Sequence, residues 1–236
     1  MQPTEKTTMM FGKTPMGTIG YRAMPIGYDD FHWSLLQLCC FCYEYVCPPG
    51  TYIHFDRSVV SGQITSANEL AQKMQGDWIL MLDSDHTFEP DLILRMLELF
   101  EVNHLDVLCG RYHYKEPPYT PVLYQHMEGE FKNIVSWGNE KIKLLPIGAA
   151  GAGCLMIRRS VFQKLHEQFG ELPFSICAPY TTDDFSFFER CRKAGIKCWS
   201  AVQVEAKHLT LRAIGLEDYN EKDAPAMIEM TAEAMA

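Results

Sequence analysis

Two aspartates separated by one residue are the clearest candidates for chemistry in this sequence. Asp83 and Asp85 follow an apolar run at residues 78–82, which is typical of a strand buried on both faces. If the extended backbone continues through them, both side chains project to the same face. Converging carboxylates suit Mg²⁺ or Mn²⁺, and such a cation neutralises the charge on a diphosphate leaving group. The alternative is structural, with one aspartate in an Asx turn and the other capping the next helix.

A second acidic pair, Asp183 and Asp184, is preceded by two threonines and followed by a phenylalanine-rich run. This pattern predicts a helix N-terminus, where exposed backbone N–H groups favour negative charge. Capping accounts for one of the two acids. The other would lie between an apolar wall and a cleft, which suits a general base or an anchor for an acceptor hydroxyl. We expect Asp184 to be ionised there because the helix N-terminus favours its charged form.

Two further features of the second half of the chain would complete such a site. His208 is predicted to follow the last strand, at residues 197–204, and a neutral imidazole there can complete the coordination of a divalent cation. A surface or hydrogen-bonded histidine is the alternative. The glycine-rich run at residues 148–153 does not match the GxGxxG pattern of dinucleotide sites. Its small residues allow a backbone to approach a sugar or phosphate closely, or simply allow tight packing.

The nine cysteines are an odd number, which excludes a complete disulfide framework and favours reduced thiols in a reducing compartment. Cys39, Cys40, Cys42 and Cys47 are close enough in sequence to suggest a zinc site. Their spacing is not that of paired CxxC motifs or of a zinc knuckle. We interpret residues 35–47 as a buried amphipathic helix in which cysteine acts as a small apolar residue.

Length and composition predict one globular α/β domain. The chain has 236 residues, of which 47% are apolar and 22% charged, and these values exclude a disordered or collagen-like chain. The net charge of −9 disfavours broad contact with nucleic acid or an anionic membrane.

Stretches without charged residues are shorter than the roughly 18 to 20 residues of a membrane helix, and the N-terminus lacks the apolar core of a signal sequence. We therefore expect a cytoplasmic protein with no transmembrane segment.

Strands and helices alternate in the first half of the chain. Strands are predicted at residues 18–25, 52–56 and 78–82, with helices at 33–45 and around 66–70 between them. This order predicts a parallel sheet, whose ligands bind beyond the carboxyl ends of the strands, here residues 25–29, 56–63 and 83–86. After residue 115 the pattern is less regular, with hairpin-like segments predicted at 124–137 and 141–145 around Gly138 and Asn139. The aromatic segment 112–137 is a candidate acceptor wall, unless its side chains only pack the hairpin.

Three segments together carry a family resemblance: WILMLDSDHTFEPDLILRML, GAGCLMIRRSVF and TTDDFSFFERCRKAGIKCW, with a histidine after the last. They resemble the glycosyltransferases of the GT-A fold, particularly family 2 and its compact stand-alone members from phages and microbes. The resemblance implies a single Rossmann-like α/β domain at residues 17–210, with a central, mostly parallel sheet flanked by helices and a smaller mixed β part. Residues 1–16 are expected to be a loose lead-in, and residues 211–236 a helical tail.

The resemblance also implies roles for individual residues. Asp83, Asp85 and His208 would form the site for Mn²⁺ or Mg²⁺, with Asp85 the direct ligand and Asp83 nearer the ribose or nucleotide. Asp184 would be the base of an inverting enzyme, with Asp183 beside it. The expected nucleotide-binding residues are Pro25, Gly27, Tyr28, Arg57, Asn68, Asp83, Asp85, Gly151 and Gly153.

The resemblance implies a metal-dependent transfer of a sugar from a nucleoside diphosphate sugar to an acceptor hydroxyl, with inversion favoured over retention. Departures from the family pattern concern the nucleotide contacts, because Pro-Thr-Tyr-Asn after the first strand is replaced by residues 25–29, PIGYD. No Gln-x-x-Arg-Trp follows the second acidic pair, which argues against a processive polysaccharide synthase. Two alternatives remain: a sugar-nucleotide nucleotidyltransferase, and a non-catalytic module that binds sugar nucleotides.

Overall fold

A large mixed sheet with helices packed on it forms the body of the molecule. The computed structural model describes residues 14–23, 27–59, 62–137, 141–177, 181–210, 213–214 and 228–229. Its helices are α1 (Asp29–Phe41), a π-helix that continues it (Cys42–Val46), α2 (Gln63–Lys73), α3 (Leu92–Val102), α4 (Arg159–Phe169) and α5 (Asp183–Lys193). Within these ranges, no helix has both the length and the apolar character needed to span a membrane.

In the described part of the chain, thirteen strands form two sheets. In chain order they are β1 (Thr14–Arg22), β2 (Thr51–Ser58), β3 (Trp78–Asp83), β4 (His86–Phe88), β5 (Val107–Arg111), β6 (Leu123–Met127), β7 (Glu130–Ser136), β8 (Leu144–Ile147), β9 (Ala149–Ala150), β10 (Cys154–Arg158), β11 (Cys198–Leu209), β12 (Ala213–Ile214) and β13 (Ile228–Glu229). The large sheet has the order β12-β11-β5-β10-β3-β1-β2, and β4 and β8 also pair with β11. The small sheet has the order β13-β7-β6-β9.

The parallel pairing predicted for the first half of the chain is confirmed. β1 pairs in parallel with both β2 and β3, and β5 pairs in parallel with β11. β10 is inserted antiparallel between β3 and β5. The central strand β3 is buried along its apolar residues, as its unbroken hydrophobic run predicts. The predicted pairing of residues 124–137 with residues 141–145 is wrong, because 124–136 folds back on itself as the β6–β7 hairpin and β8 pairs with β11. The predicted turn at Gly138 and Asn139 lies outside the described residues.

Strand limits differ from the predicted ones at two places that matter for the site. β1 begins at Thr14, inside the predicted lead-in, and ends at Arg22 rather than at residue 25. β11 continues to Leu209 instead of ending at residue 204, so His208 lies within a strand and not after it. The reason is pairing, because β4 forms an antiparallel ladder with the carboxyl end of β11. Periodicity within residues 197–209 does not reveal a partner that is distant in sequence.

The prediction of a buried helix around the four cysteines is correct only in part. Cys42 is buried and Cys40 is exposed, while Cys39 and Cys47 are half-buried. The α-helix ends at Phe41 and widens into the π-helix, whose Tyr43 and Tyr45 are exposed. Among the described residues, these four thiols do not form a cluster of potential metal ligands.

The predicted helical tail lies mostly outside the described residues. Within it, Ala213–Ile214 and Ile228–Glu229 are strands, so the helix is wrong at these two places. β12 pairs with β11, and β13 pairs in parallel with β7. The tail therefore adds strands to the edges of both sheets.

Candidate active site

The carboxyl ends of β1 and β3 are joined by an ion pair. Arg22 and Asp83 are opposite each other in the parallel register, and the guanidinium donates from Nε to Oδ1 at 2.6 Å and from Nη2 to Oδ2 at 2.8 Å. Burial opposes the charge on Arg22, but the neighbouring carboxylates outweigh it and raise the Arg22 pKa. Both oxygens of Asp83 are thus engaged by Arg22, and a metal ion would have to compete for them.

The same guanidinium links the two acidic motifs. Arg22 Nη1 lies 3.7 Å from Asp183 Oδ2, and both side chains are almost fully buried. Asp183 belongs to the first turn of α5, where Thr182 caps the helix by accepting a hydrogen bond from the backbone N–H of Phe185. The predicted helix start is therefore confirmed, and the paired acids of strand β3 and helix α5 meet at one cation. Arg22 was not among the predicted site residues, although it is a lone charge ending an apolar strand.

Asp184 loses its proton less readily than the sequence predicts. Burial raises its pKa to about 7, and the negative charge of Asp183 adds to this effect, while Arg22 acts in the opposite direction. Its Oδ1 is buried and makes no hydrogen bond with any described residue. The helix N-terminus does favour the charged form, but desolvation outweighs it. A carboxyl group with a pKa near neutrality can accept and release a proton under physiological conditions.

A second group of potential ligands lies beyond the end of β3. Asp85, His86 and His208 each offer a ligand atom, and these atoms all lie within 4.8 Å of one another. His86 of β4 pairs directly with His208 of β11, and the two rings stack with centroids 4.1 Å apart. Asp85 and His208 are thus brought together as predicted, whereas Asp83 is not part of this group. His86 was missed by the sequence analysis, although it directly follows Asp85.

The protonation states in this group suit a divalent cation. His208 Nδ1 bonds the carbonyl of His113, and since a carbonyl only accepts, Nδ1 carries the hydrogen and Nε2 keeps a lone pair. Burial, together with His86, lowers the pKa of His208 to about 4, so the ring is neutral. Although burial opposes ionisation of Asp85, its contacts with His86 and Lys115 hold its pKa well below the usual range. A carboxylate and a neutral imidazole fixed by a backbone carbonyl form a suitable donor set.

A buried atom of this group that lacks a hydrogen-bond partner also suits a bound cation. His86 Nε2 is buried and has no hydrogen-bond partner among the described residues, while Asp85 Oδ1 lies 3.2 Å from His86 Nδ1. Buried polar atoms are rarely left in this state without a ligand or ordered water. Lys115 Nζ lies 2.5 Å from the other oxygen of Asp85 and compensates its charge. A cation bound here would share Asp85 with that ammonium group.

The glycines of the loop before β10 are required by crowding. A Cβ added to Gly151 would lie 1.8 Å from Tyr112 Oη, and one added to Gly153 would lie 2.6 Å from His86 Cε1 and 3.0 Å from Asp83 Oδ2. The backbone N–H of Gly153 also donates to Tyr112 Oη at 3.4 Å. Tight packing thus explains both glycines. Gly153 separates the Arg22–Asp83 ion pair from His86, so the two parts of the site adjoin at this residue.

An aromatic wall borders Asp184, in the region predicted to contact the acceptor. Tyr124 and Phe131 of the β6–β7 hairpin pack against Phe185 with ring centroids 4.7 and 5.1 Å apart. The hydroxyl of Tyr124 is hydrogen-bonded to that of Tyr114. Phe185 directly follows Asp184 in the first turn of α5. The hairpin therefore packs on the helix that carries the acidic pair.

The other predicted nucleotide-binding residues are not gathered into this cluster. Asn68 is buried in α2, and its side-chain oxygen accepts the backbone N–H of Phe174 at 3.1 Å, which is a structural contact. Arg57 is exposed near the carboxyl end of β2. Gly27 and Tyr28 lie just before α1, and Pro25 lies outside the described residues.

Two solved structures are similar to this fold. A crystal structure of A197 from STIV has a TM-score of 0.52 and 15% identity, and the match covers 84% of this chain and 86% of that one. A crystal structure of GalNAc-T7 with UDP, GalNAc and Mn²⁺ has a TM-score of 0.58 and 11% identity. That match covers 84% of this chain but 43% of the other, so the chain spans less than half of that protein's length. At these identities the likeness concerns the fold, and it confirms the predicted GT-A architecture.

Sequence comparison identifies the family. A search of curated proteins finds no match. The model of "Glycosyl transferase family 2" matches residues 43–166, which is more than half of the chain and includes both aspartates of the DSD motif. This match confirms the resemblance drawn from the motifs, and the protein belongs to glycosyl transferase family 2.

Proposed function

We propose that this glycosyltransferase moves a sugar from a nucleoside diphosphate sugar to an acceptor hydroxyl, and that it requires Mn²⁺ or Mg²⁺. The observation that carries the proposal is the meeting of two chemically different sites around Gly153. Gly153 adjoins His86 of the donor set formed by Asp85, His86 and His208. Asp184, with its pKa raised to about 7, accepts a hydrogen bond from the backbone of Ala152, the residue before Gly153. The structure of GalNAc-T7 with UDP, GalNAc and Mn²⁺ provides a related example of the same fold.

In this proposal Asp85, His86 and His208 hold the cation. When bound, the cation supplies positive charge that stabilises the departing diphosphate. His208 enters as a neutral ligand with its tautomer fixed by the His113 carbonyl, and Asp85 enters as a carboxylate. Lys115, which already contacts Asp85, supplies a second positive charge at the same place. Because the site lies at a strand exit, these groups are positioned by the ladder between β4 and β11.

Arg22 and Asp83 support the reacting residues from the other side. The ion pair fixes Asp83 at the end of β3, where its carboxylate is oriented toward the loop that carries Gly153. In the proposed complex Asp83 lies closer to the ribose than to the metal, as the family resemblance implies. Arg22 also compensates the charge of Asp183, and this leaves Asp184 as the acid whose proton is easily exchanged.

Asp184 is proposed as the base that takes the proton from the acceptor hydroxyl. Its raised pKa makes it a better proton acceptor than an ordinary aspartate at neutral pH, provided that it is in its ionised form. The adjoining aromatic wall of Tyr124, Phe131 and Phe185 offers an apolar surface on which an acceptor can rest. A base on the acceptor side corresponds to inversion of the anomeric configuration, which we propose over retention.

A donor panel tests the proposal directly. Purified full-length protein is incubated with UDP- and GDP-linked sugars and Mn²⁺, and release of the nucleoside diphosphate is measured with and without EDTA. We expect release from at least one donor, abolished by EDTA and by Asp85→Asn. The exposed Asp77→Asn, which changes a carboxylate at the opposite end of β3, is the matched control and should retain activity. Donor binding without turnover across the panel would instead identify a non-catalytic binding module.

A further inference from the structure

A separate cavity of about 610 Å³ lies behind the two strands that carry the candidate metal ligands. It is formed between α1, the start of α3 and the paired strands β4 and β11. Successive side chains of a strand point to opposite faces. His208 therefore faces the candidate metal group, while Lys207 and Leu209 line the cavity. The two strands separate the cavity from the site proposed for the cation.

The charges that line the cavity are balanced. Three carboxylates and three cationic side chains contribute to its wall: Asp30, Glu89, Glu205, Arg95, Arg111 and Lys207. An anion or a cation entering the cavity would therefore meet groups of its own sign as well as the opposite sign. The amides of Gln37 and Gln203 add further donors and acceptors. Such a lining favours a neutral ligand that has many groups able both to donate and to accept hydrogen bonds.

One buried donor of this wall has no partner. Arg111 is 8% exposed, and its Nη2 lies 3.3 Å from Glu205 Oε1. Its Nε is buried and makes no hydrogen bond to any residue in the described part of the chain. An unpaired guanidinium N–H costs free energy unless a ligand or water accepts from it. Arg111 therefore contributes a guanidinium to the cavity wall, and this group also lies over the Trp137 ring, 5.9 Å from its centroid.

Trp33 adds an apolar surface to the opening of the cavity. The residue is 61% exposed, although it stands on α1 between the buried residues Phe31 and Ser34. Phe88 and Leu209 extend the apolar part of the lining. An exposed indole at the edge of a polar cavity offers a flat face, and pyranose rings carry a matching face of C–H groups. Such an indole combined with many polar groups fits a sugar better than a purely apolar ligand.

We propose that this cavity is a second saccharide-binding site, distinct from the site of the proposed transfer. The C–H face of a neutral sugar lies on Trp33, while its hydroxyl groups accept from Arg95 and Arg111 and donate to the carboxylates. The proposal does not depend on turnover or on a bound cation. A glycan held there would keep the enzyme close to a saccharide surface, independently of the donor.

Saturation-transfer NMR tests the proposal with maltotriose, cellotriose, mannotriose, chitotriose and lactose as probes. The full chain is used in EDTA, so that binding at a cation-dependent donor site does not contribute. We expect transfer to the C–H protons of at least one probe, with a dissociation constant on the order of 1 mM. Trp33→Ala should weaken binding of that probe by about tenfold or more. Arg95→Gln, a second change in the lining, should weaken it as well.

Leu36→Ala is the matched control, because Leu36 is 53% exposed on the same helix and does not line the cavity. This variant should bind the probe as the unsubstituted protein does. The proposal is overturned if none of the five probes receives saturation, or if Leu36→Ala weakens binding as much as Trp33→Ala. It is also overturned if UDP alone displaces the bound probe in EDTA, since the probe would then occupy the donor site. A failure of the donor panel leaves these outcomes unaffected.

Discussion

Arg22 forms an ion pair with Asp83 through two hydrogen bonds between the neighbouring strands β1 and β3, and its Nη1 faces Asp183. One buried cation thus compensates acids that are about a hundred positions apart in the sequence. Removal of the guanidinium would leave the buried Asp183 and the partly buried Asp83 without this compensating charge. The arrangement makes Arg22 as important for the stability of the site as the acids themselves.

We expect Arg22→Gln to lower the free energy of unfolding by about 3 to 5 kcal/mol, the range for loss of one partner from a buried ion pair. Urea unfolding at neutral pH measures the change. Arg57→Gln is the matched control, because Arg57 is an exposed arginine on the neighbouring strand β2, and it should change stability by less than about 0.5 kcal/mol. Equal effects of the two substitutions would show that the ion pair does not stabilise the fold.

Asp184→Asn should lower turnover on the order of a hundredfold or more, with little change in the KM for the donor. The reason is that an amide cannot take the proton from the hydroxyl group of the acceptor substrate. Steady-state kinetics with the active donor from the panel provide the measurement. Asp29→Asn, which changes an exposed acid in the first turn of α1, is the control. In the same experiments, NMR is used to assign the anomeric configuration of the product. Retention of configuration with an active Asp184→Asn variant would remove the base role.

The pH profile follows from the raised pKa of Asp184. If the ionised carboxylate is the base, kcat/KM should rise as pH increases through about 7 and then reach a plateau. His208, with its pKa lowered to about 4, does not titrate in this window. The profile is measured at saturating Mn²⁺. A rate that is already constant from about pH 5 upward would contradict a base with this pKa.

Stability should change with pH in the opposite direction. The folded-state pKa of Asp184 is about 7, above its ordinary value of 3.8, so the folded protein binds this proton more tightly than the unfolded chain. The contribution of Asp184 to stability therefore falls as pH rises through this window. Asp184→Asn removes the effect, and the variant should gain stability relative to the original protein between about pH 4 and pH 8. Urea unfolding of both proteins at about pH 4 and about pH 8 measures this change. If the difference in their free energies of unfolding is the same at both pH values, the prediction is refuted.

His208→Ala should raise the Mn²⁺ concentration needed for half-maximal activity by about tenfold to a hundredfold, because one neutral ligand is lost. Asp85→Ala should remove activity while leaving the folded state intact, since the residue lies at a strand exit. Activity is titrated with Mn²⁺, and circular dichroism monitors the fold. His166→Ala, a histidine in the last turn of α4, is the control. An unchanged titration for His208→Ala would show that this ring does not bind the cation.

Local sequence signals were sufficient for the elements that carry the acidic motifs. The unbroken apolar run of β3 and the Thr182 cap of α5 each depend on neighbouring residues, and both are confirmed. Local signals do not link Asp85 with His208, which the structure places in one group. The family resemblance supplied this pairing, since the two residues are distant in the chain.

What the sequence did not reveal depends on contacts between distant segments. His86 is recognisable as a candidate ligand only when β4 is seen to pair with β11. Arg22 gains its importance from a strand register and from the approach of α5. The raised pKa of Asp184 could not be predicted, because the helix N-terminus is visible in the sequence while the depth of burial is not.

The carboxyl end of β11 supplies His208, and a backbone hydrogen bond of 2.7 Å from Leu209 to the carbonyl of Asp85 anchors it there. β2, β1, β3, β10 and β5 can pair with one another before β11 is synthesised. β11 closes a very long loop when it docks, and such contacts form late during folding. A growing chain on the ribosome can therefore form most of its large sheet while still lacking the complete candidate site, which is assembled only when β11 docks.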